Sequence, residues 1–423
     1  MFENYTRHAD IQAIKTANVT DMIPVHTIGS NQIGMREFNE RVILWAIRLH
    51  GSTPKADLAR LTNLSTQTVS VIINRLLAEG LVCKLDSVRG KIGQPSQPIA
   101  LHSDGAFSIG IQIGRRRLKV MLMDFSGQAR YQTMMSYATP DVEQVFSEIA
   151  YQLSEIATLL GPEKVARLSG IGVSAPLVFG GWQQLLGMSE KDAAAWSSIN
   201  MGERLKTITT LPIEFAKDTV AACVAELVAG RGRSVKNYIY VFIDTLIGGG
   251  LVINSQPHAG VFGNAGAIGS LPLSVAGISN GAGKPQQLLD VGSLITLEKL
   301  YARAGLDETA IVDGRALQAP WLVLTEQWIA EAADAIAYAI VSSSSMLDLE
   351  AVIIDGAFDR SFLARLNQAI SQSLEHYNWQ GVMRPAIYEG QVGSDAKVRG
   401  AAYLPLHAHF SPMHDLFLKG GKS

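Results

Sequence analysis

The hydrophobic positions of the first hundred residues predict three short helices. Residues 37–50 carry apolar side chains at helical spacing. Residues 52–54 (Ser-Thr-Pro) then offer an N-cap and a proline suited to the first turn of a second helix. Ser65 is the N-cap candidate of a third helix, whose apolar residues fall on one face. These residues are Val69, Ile72, Ile73, Leu76 and Leu77. Residues 1–35 show no sustained period, and we expect an N-terminal arm there.

A β-hairpin pattern follows the third helix. Gly80 fits a helix C-cap, residues 81–85 read as a strand, and the basic, Gly-containing residues 89–95 are predicted to form the hairpin tip. Three short helices followed by a basic hairpin are typical of a winged helix-turn-helix domain, which we place at 36–101. The third helix and the wing then supply the candidate DNA-binding residues. They are Thr66, Gln67, Thr68, Ser70 and Asn74 in the helix and Arg89, Lys91 and Gln94 in the wing.

The charge distribution changes along the chain. The 423 residues contain 36 Lys or Arg and 38 Asp or Glu, a net charge of −2, which excludes a uniformly basic nucleic-acid coat protein. Residues 36–100 nevertheless hold nine basic and five acidic residues, a local excess of +4. Such an excess is what binding to the phosphates of double-stranded operator DNA requires. A small helical module that uses its polar surface for protein contacts is the alternative.

Cysteine usage and hydropathy indicate the compartment. The two cysteines, Cys83 and Cys223, cannot form a disulfide framework, and both are expected to be buried small apolar residues. The N-terminus has no apolar signal core. The longest apolar stretch, residues 238–253, contains Asp244 and is shorter than the roughly 20 residues that a membrane span needs. We therefore expect a cytoplasmic protein with no membrane partner.

From residue 107 onward, apolar strand patterns alternate with helical ones. This alternation is typical of α/β architecture. Two successive units, one starting near 107 and one led by 238–254, would face each other across a cleft. The predicted strands are 108–114, 118–124, 168–174, 213–216, 238–243 and 251–254, and the predicted helices are 142–160, 219–229 and 326–347.

An ordered series of short motifs runs through this part of the chain. It comprises IQIG at 111–114, GVSAP at 172–176, Trp196, LPIEFAKD at 211–218, GGGLVIN at 248–254, HAG at 258–260, NAGAIGS at 264–270, LDLEAVIIDG at 347–356 and residues 395–402. In order and spacing the chain resembles the ROK family (repressors, open reading frames and sugar kinases), in the form that carries an N-terminal DNA-binding domain. Coverage is nearly end to end, from about residue 36 to 406.

The resemblance implies a fold and an assembly. The fold is an actin-like (ribonuclease H-like) two-domain ATPase fold, of α/β class, preceded by an α+β winged helix-turn-helix domain. The two actin-like domains would span 102–236 and 237–423, with a C-terminal helix near 394–406 packing back on the first. The family implies a homodimer or tetramer.

Departures from the family pattern argue against sugar kinase activity. Kinase members have an Asp that helps to hold magnesium at the position of Gln112, and glycines and Thr where Arg115 and Arg116 stand here. A neutral amide is a poor Mg²⁺ ligand. Asp244-Thr245-Leu246 replaces the second phosphate turn, Gly-Thr-Gly. Because phosphoryl transfer depends on positioning and on charge neutralisation, no enzymatic activity and no cofactor are expected.

The sugar side of the family's site is also altered. The resemblance marks Lys217, Asp218, Gly249, Ala267 and Ser270 as candidate ligand-binding residues. Family members have Asn, Glu and His at the positions of Lys217, Ala267 and Ser270. Asp218 retains the general-base position, and it is either a residual acceptor for a sugar hydroxyl or a cap of the helix that begins at Thr219. Lys217 either favours an acidic ligand or is solvated.

No metal site is expected. The family's structural zinc uses the His that Ser270 replaces together with three cysteines, and residues 271–292 contain no cysteine. His258 stands alone and is expected to be structural, and 277–285 would be a plain loop. The arginines at 115–117 either bind an acidic effector or form a solvated turn.

These patterns predict a sequence-specific DNA-binding transcriptional regulator, a repressor of the ROK type. A sugar-like or acidic small-molecule effector in the interdomain cleft would gate it. Two alternatives stay open: an ATP-dependent sugar kinase, and a regulator controlled by a protein partner without a small-molecule effector.

Overall fold

The computed structural model describes residues 32–86, 97–176, 188–261, 263–274 and 285–412. The first of these ranges, completed by the strand that follows the gap, forms a small N-terminal unit, the head. Its elements are α1 (Gln32–His50), α2 (Lys55–Thr62), α3 (Thr66–Ala78), β1 (Val82–Lys84) and β2 (Ile99–Leu101), and the two strands pair antiparallel. The rest of the predicted arm, 1–31, and the predicted hairpin tip lie outside the described residues.

Helix α3 forms as its sequence predicts. The Ser65 side chain accepts a hydrogen bond from the Thr68 backbone N–H at 3.1 Å, which satisfies one of the free amides of the first turn. The apolar face of α3 is buried, and its buried residues are Val69, Ile72, Ile73 and Leu76. At the other end Gly80 adopts a positive φ of 71°, the left-handed conformation that closes a helix C-terminus.

Two predictions for the head are wrong at the level of boundaries. Helix α1 begins at Gln32, so residues 32–35 are helical and do not belong to an arm. Helix α2 has Pro54 at its N-cap and no side-chain cap from Ser52 or Thr53. Thr53 is instead drawn into a β-bridge, its N–H donating to the Ile99 carbonyl at 2.9 Å and its carbonyl accepting from Ile99 at 3.0 Å.

Two five-stranded sheets follow, and they share one layout. The first has the order β5-β4-β3-β6-β7 and the second β10-β9-β8-β11-β12. In each sheet three antiparallel strands are extended by two parallel ones. The strands are β3 (Phe107–Ile113), β4 (Arg117–Asp124), β5 (Ala129–Ser136), β6 (Leu168–Ala175) and β7 (Ile213–Lys217), then β8 (Tyr238–Ile243), β9 (Gly248–Ile253), β10 (Gln256–His258), β11 (Ala351–Gly356) and β12 (Ala386–Glu389).

Helices cover both faces of these sheets. They are α4 (Val142–Val165), α5 (Glu190–Ser198), α6 (Met201–Lys206), α7 (Asp218–Ala229), α8 (Leu288–Gly292), α9 (Leu294–Arg303), α10 (Leu322–Leu347), α11 (Arg360–Leu374) and α12 (Ala396–Phe410). Alternate residues of each central strand face opposite layers. In β8, for example, the aromatic residues pack with α7 and α12, whereas the isoleucines and Val241 pack with α10 and α11. None of these described helices is both long and apolar enough to cross a membrane.

Helix α12 packs against the first sheet at very short range. A Cβ built on Gly110 of β3 would come within 2.4 Å of the Val398 carbonyl oxygen, and one on Gly172 of β6 within 1.8 Å of the Ala401 carbonyl oxygen. Ser108, also on β3, donates a 2.6 Å hydrogen bond to the Ala402 carbonyl of α12. On its other side, Gly400 of α12 lies against the backbone of α7.

The head is joined to this core by the far end of α12. The buried apolar residues of the head and those around β4 and α12 form one continuous cluster. Trp45 of α1 meets the His407 ring edge-on at 5.5 Å, and Arg41 donates to the Ala408 carbonyl at 3.3 Å. Arg48 donates to the Phe125 carbonyl at 2.9 Å. The head therefore docks on the core through α1.

The close contact at Gly400 generates a stability prediction. In Gly400→Ala the new methyl group would lie 1.7 Å from the Ala221 carbonyl oxygen, so backbone must shift. We expect the free energy of unfolding to fall by about 1–3 kcal/mol or more. Urea denaturation followed by circular dichroism measures the change.

Gly202→Ala is the matched control, because Gly202 is also helical and its Cβ would meet side chains and no backbone, Asn200 at 3.3 Å and Phe215 at 3.7 Å. Alanine raises helix propensity there by up to about 1 kcal/mol. Equal losses in the two variants would contradict the backbone-contact explanation.

Candidate functional site

The exposed face of α3 presents mainly short polar side chains. Thr66, Gln67 and Asn74 are exposed, and Ser70 is half-buried. Gln67, Ser70 and Asn74 share a face because they are spaced i, i+3 and i+7. Thr68 is different, because its N–H and hydroxyl both bond to Ser65 and so complete the cap. Of the five candidate DNA-binding residues in α3, Gln67, Ser70 and Asn74 thus lie together on one face. Thr66 lies at the N-terminal end of this face.

The basic residues around this face are partly engaged within the head. Arg75 pairs with Glu40 at 2.9 Å and with Glu79 at 2.8 Å, so it ties α3 to α1. Lys55 of α2 lies 3.4 Å from the Asn74 amide oxygen. Arg89, Lys91 and Gln94 lie outside the described residues.

Val71 is a residue of this face that sequence reasoning missed. It is 65% exposed and stands between Gln67 and Asn74, four residues after the former. The signal was available, since Val71 falls outside the apolar i, i+3, i+4 set of α3.

A cavity of about 210 Å³ lies between the two sheet units. Four of the five candidate ligand residues line it: Lys217, Asp218, Ala267 and Ser270. Arg115, from the turn between β3 and β4, and Asn264 line it as well. Gly249 does not. It packs where a Cβ would approach the Tyr240 carbonyl oxygen to 2.5 Å, and its own carbonyl accepts from the Thr219 hydroxyl at 3.0 Å.

A buried lysine controls the carboxylates beside this cavity. The Lys397 ammonium, at the start of α12, lies 2.7 Å from Asp218 Oδ2 and 2.7 Å from Asp244 Oδ2. Burial alone would raise the pKa of both carboxyls. The charges of Lys397 and Arg115 and the hydrogen bonds that the carboxylates accept together outweigh burial. They lower the pKa of Asp218, and they lower the pKa of Asp244 to about 2. Burial would lower the pKa of Lys397, and the two carboxylates raise it instead. All three groups are therefore charged at neutral pH.

Asp218 fits neither of its two predicted roles alone. Helix α7 begins at Asp218 itself, one residue earlier than predicted. Its Oδ1 accepts from the Thr219 N–H at 2.9 Å and its Oδ2 accepts from Lys397, so both oxygens already have donors within the chain. The carboxylate at the family's general-base position is thus held in an ion pair. Sequence reasoning missed Lys397, whose only signal is a cation within a run of small and apolar residues.

The three arginines at 115–117, between β3 and the start of β4, have different surroundings. Arg116 pairs with Glu298 of α9 at 3.1 Å, and Arg117 is exposed. Arg115 is half-buried at the cavity and forms no hydrogen bond or ion pair with the described residues. Lys217 donates to the Asn264 side-chain oxygen at 2.8 Å, from the first unit to the second.

Two buried polar atoms lie deeper in the first sheet. Gln112 of β3 and Ser174 of β6 are neighbours in register, and Gln112 Oε1 and Ser174 Oγ have no hydrogen-bond partner in the part of the chain that the structure describes. Within that part no group of three or more His, Cys, Asp or Glu residues could hold a metal ion. His258 is exposed at the end of β10, and most of the predicted loop at 277–285 is outside the described residues.

The two cysteines differ in environment. Cys223 of α7 is buried, which raises the pKa of its thiol far above the usual value. Cys83 is only half-buried, and its sulfur lies 4.0 Å from the Leu101 carbonyl oxygen.

The buried ion pairs generate a prediction on stability and pH. Lys397→Met leaves the buried Asp218 and the half-buried Asp244 without their shared cation, and we expect a loss of about 3–5 kcal/mol at pH 7. In the wild type both aspartates have depressed pKa values, so their contribution is complete above the unfolded value of about 4 and is lost as the pH falls toward about 2. The difference between variant and wild type should therefore shrink on acidification. Denaturant titration at a series of pH values measures it.

Asp218→Asn combined with Lys397→Met should cost less than the sum of the two single changes, because the ion pair is shared. A pH-independent loss of under about 1 kcal/mol in Lys397→Met would contradict the arrangement, since breaking a buried pair costs more.

Comparison with family models covers both parts of the chain. Residues 108–408 match the model of the ROK family, and residues 39–82 match a family described as winged helix-turn-helix DNA-binding.

Two similar proteins are xylose repressors. The xylose repressor of Bacillus subtilis (strain 168) is 23% identical over 251 residues, which are 59% of this chain and 64% of that protein. The chain thus spans just under two thirds of this relative's length. The xylose repressor of Caldicellulosiruptor bescii is 20% identical over 367 residues, 81% of this chain and 89% of that protein.

Solved structures show the same fold. A ROK family transcriptional regulator, described as a homolog of the E. coli MLC protein, superposes with a TM-score of 0.64 at 18% identity, covering 92% of this chain and 100% of that one. A ROK family glucokinase from Streptomyces griseus, in complex with glucose and AMPPNP, superposes with a TM-score of 0.56 at 19% identity. The match covers 71% of this chain and 99% of that one. The fold is therefore the actin-like α/β fold of the ROK proteins, preceded by a winged helix-turn-helix. Because the ROK model matches well over half of its residues, the chain belongs to the ROK family.

Proposed function

We propose that this chain is a DNA-binding transcriptional regulator, a repressor, and not a sugar kinase. The observation that carries the proposal is the polar, solvent-facing side of α3, which projects from a helix-turn-helix that the core holds in place. Side chains of this length reach base edges when such a helix lies in the major groove. The xylose repressors and the MLC homolog support the same function by likeness.

The state of the core argues against phosphoryl transfer. A general base must accept a proton from the attacking hydroxyl, but the ion pair with Lys397 helps to lower the pKa of Asp218 and makes its carboxylate a weaker base. Gln112 offers an amide where the family's kinases place a carboxylate, and Arg115 fills the phosphate turn. A hexose-stimulated ATPase measured in a coupled assay would revive the kinase alternative.

The proposed partner is double-stranded operator DNA. Gln67, Ser70, Asn74 and Thr66 would contact base edges, with Arg89, Lys91 and Gln94 of the wing on phosphates or in the adjacent groove. A homodimer would place two heads on half-sites one or more helical turns of about 34–36 Å apart. The head, predicted as 36–101, includes residues 32–35 because α1 begins at Gln32, and the proposed borders of the two core domains are 102–236 and 237–423. A cytoplasmic location suits this function.

Helix α12 supplies a route from the cavity to the head. It begins with Lys397 beside the cavity and spans 15 residues, about 22 Å at 1.5 Å per residue, to the contacts with Trp45 and Arg41. Burial lowers the pKa of His407 to about 4, so its contact with the head is neutral at physiological pH. An effector in the cavity that favours one position of α12 would thereby change the geometry of the two heads and the affinity for operator.

The α3 face generates a prediction on base discrimination. Gln67→Ala should reduce the preference for the favoured base by about 5- to 150-fold, since one bidentate pair discriminates by about 1–3 kcal/mol. Binding to non-specific DNA should change little. Gel-shift titration against an operator selected in vitro, and against its single-base variants, measures both.

Gln327→Ala is the matched control, because Gln327 is an exposed glutamine on α10, away from the head. The wild-type affinity should also fall steeply with salt, as phosphate contacts require. Absence of salt-sensitive, sequence-selective binding by the full-length protein would refute the proposed function.

A further inference from the structure

The charges that face the cavity are not balanced. Asp218 lines it, but the oxygens of this carboxylate are directed to Thr219 and Lys397. Arg115 lines it without an ion pair or hydrogen bond to the described residues, and Lys217 lines it with only a neutral amide, Asn264, as its partner. The single charge of Lys397 offsets only one of the two carboxylates, Asp218 and Asp244, so that with Arg115 and Lys217 the group carries a net charge of +1.

We propose that this cavity binds a small polyhydroxylated anion, whose carboxylate or phosphate is held by Arg115 and Lys217. The inference rests on the proposed function, for which it names the chemical class of the effector. A guanidinium suits this role because it offers several donors in a planar fork to a carboxylate or phosphate.

The surroundings of the two cations fit such a ligand. Helix α7 is 12 residues long and begins at the cavity, so its N-terminus adds positive potential on the same side as Arg115 and Lys217. Asn264 and Ser270, from the second unit, offer neutral hydrogen-bonding groups for hydroxyls. The ligand would therefore combine an anionic group with hydroxyls.

The electrostatics of Lys217 point the same way. Burial lowers the pKa of this ammonium, the Asp218 carboxylate raises it, and the charges of Lys397 and Arg115 lower it again. These effects leave the pKa of Lys217 below its usual value, so an anion bound beside the ammonium would stabilise its charged form.

Size limits the ligand. The cavity of about 210 Å³ is smaller than the ~300–1,000 Å³ of pockets for drug-sized ligands. A monosaccharide acid or a monosaccharide phosphate is compatible with this volume, whereas a nucleoside triphosphate is not.

The site also joins the two sheet units. Lys217 ends β7 of the first unit and its present partner, Asn264, belongs to the second. An anion bound to Lys217 would compete with the 2.8 Å bond to Asn264, so occupancy would alter a direct link between the units. This gives the effector a differential contact with two states of the protein, as gating requires.

Calorimetric titration of the full-length protein tests the proposal. The probes are D-gluconate and D-glucuronate as carboxylates, D-glucose 6-phosphate and inorganic phosphate as phosphates, D-glucose as the neutral analogue, and ATP. We expect at least one sugar anion to bind at least tenfold more tightly than D-glucose. Arg115→Gln and Lys217→Gln should each weaken it by tenfold or more.

Arg117→Gln is the matched control, because Arg117 is exposed two residues further along the same segment. It should leave the affinity unchanged. Comparing the carboxylate with the phosphate probes identifies which anion the site takes.

Several results would overturn the anion site. They are equal affinity for D-glucose and the sugar anions, anion binding that Arg115→Gln does not weaken, tighter binding of ATP than of any sugar anion, or no saturable binding of any probe at millimolar concentration. The gel shift separates this from the proposed function. If the protein binds operator but no anion, only the anion site is refuted. If it binds an anion but no operator, only the DNA-binding function is refuted.

A second inference comes from Val71, independently of the cavity. An apolar side chain that is 65% exposed on the polar face of α3 has no packing role within the head. We infer that Val71 contacts the C5-methyl group of a thymine in the major groove, where that methyl is the apolar feature of the base edge. This inference also rests on the proposed function.

Replacing thymine by deoxyuridine in the selected operator removes this methyl group and nothing else. At one or more positions the replacement should weaken wild-type binding several-fold and leave the binding of Val71→Ala unchanged. Val323→Ala, at an exposed valine of α10, is the control and should behave as wild type. An operator without a thymine whose methyl group matters, or an equal effect in Val71→Ala, would overturn the assignment. Failure to select any operator would instead count against the proposed function.

Discussion

The buried ammonium of Lys397 is the interaction on which the core depends. It joins three elements that are far apart in sequence: α12, the start of α7 and the end of β8. Two carboxylates so close together would repel each other, and each would favour its protonated form, if the cation were absent. The same contact therefore links the two sheet units, and it makes the Asp218 carboxylate a weaker base than an unpaired one would be.

Local sequence signals predicted the parts of the fold that are locally determined. The cap at Ser65, the apolar face of α3 and the hairpin that opens the first sheet depend on residues close together in the chain. Elements that depend on distant partners were missed or misplaced. Thr53 does not cap α2, and its backbone instead forms hydrogen bonds with Ile99. Strand β5 is half-exposed and has too few apolar residues for a strand pattern to be recognised in the sequence.

The same division holds for the candidate site. The resemblance named four residues that line the cavity, yet no spacing rule could place Lys397 next to Asp218, from which it is separated by 179 residues. Arg115 was noticed as one of three arginines, but only the structure separates it from Arg116, which is paired with Glu298. A charge count shows how many cations a turn has. It does not show which of them is left without a counter-ion.

The glycines beneath α12 have a mechanical consequence. At Gly110, Gly172 and Gly400 backbone meets backbone with no room for a methyl group, so α12 cannot slide over the first sheet or over α7. Any displacement of α12 must therefore carry the first sheet and α7 with it as one rigid body. The head packs on this body through the contacts of Trp45 with His407 and of Arg48 with Phe125, so it would follow the same displacement.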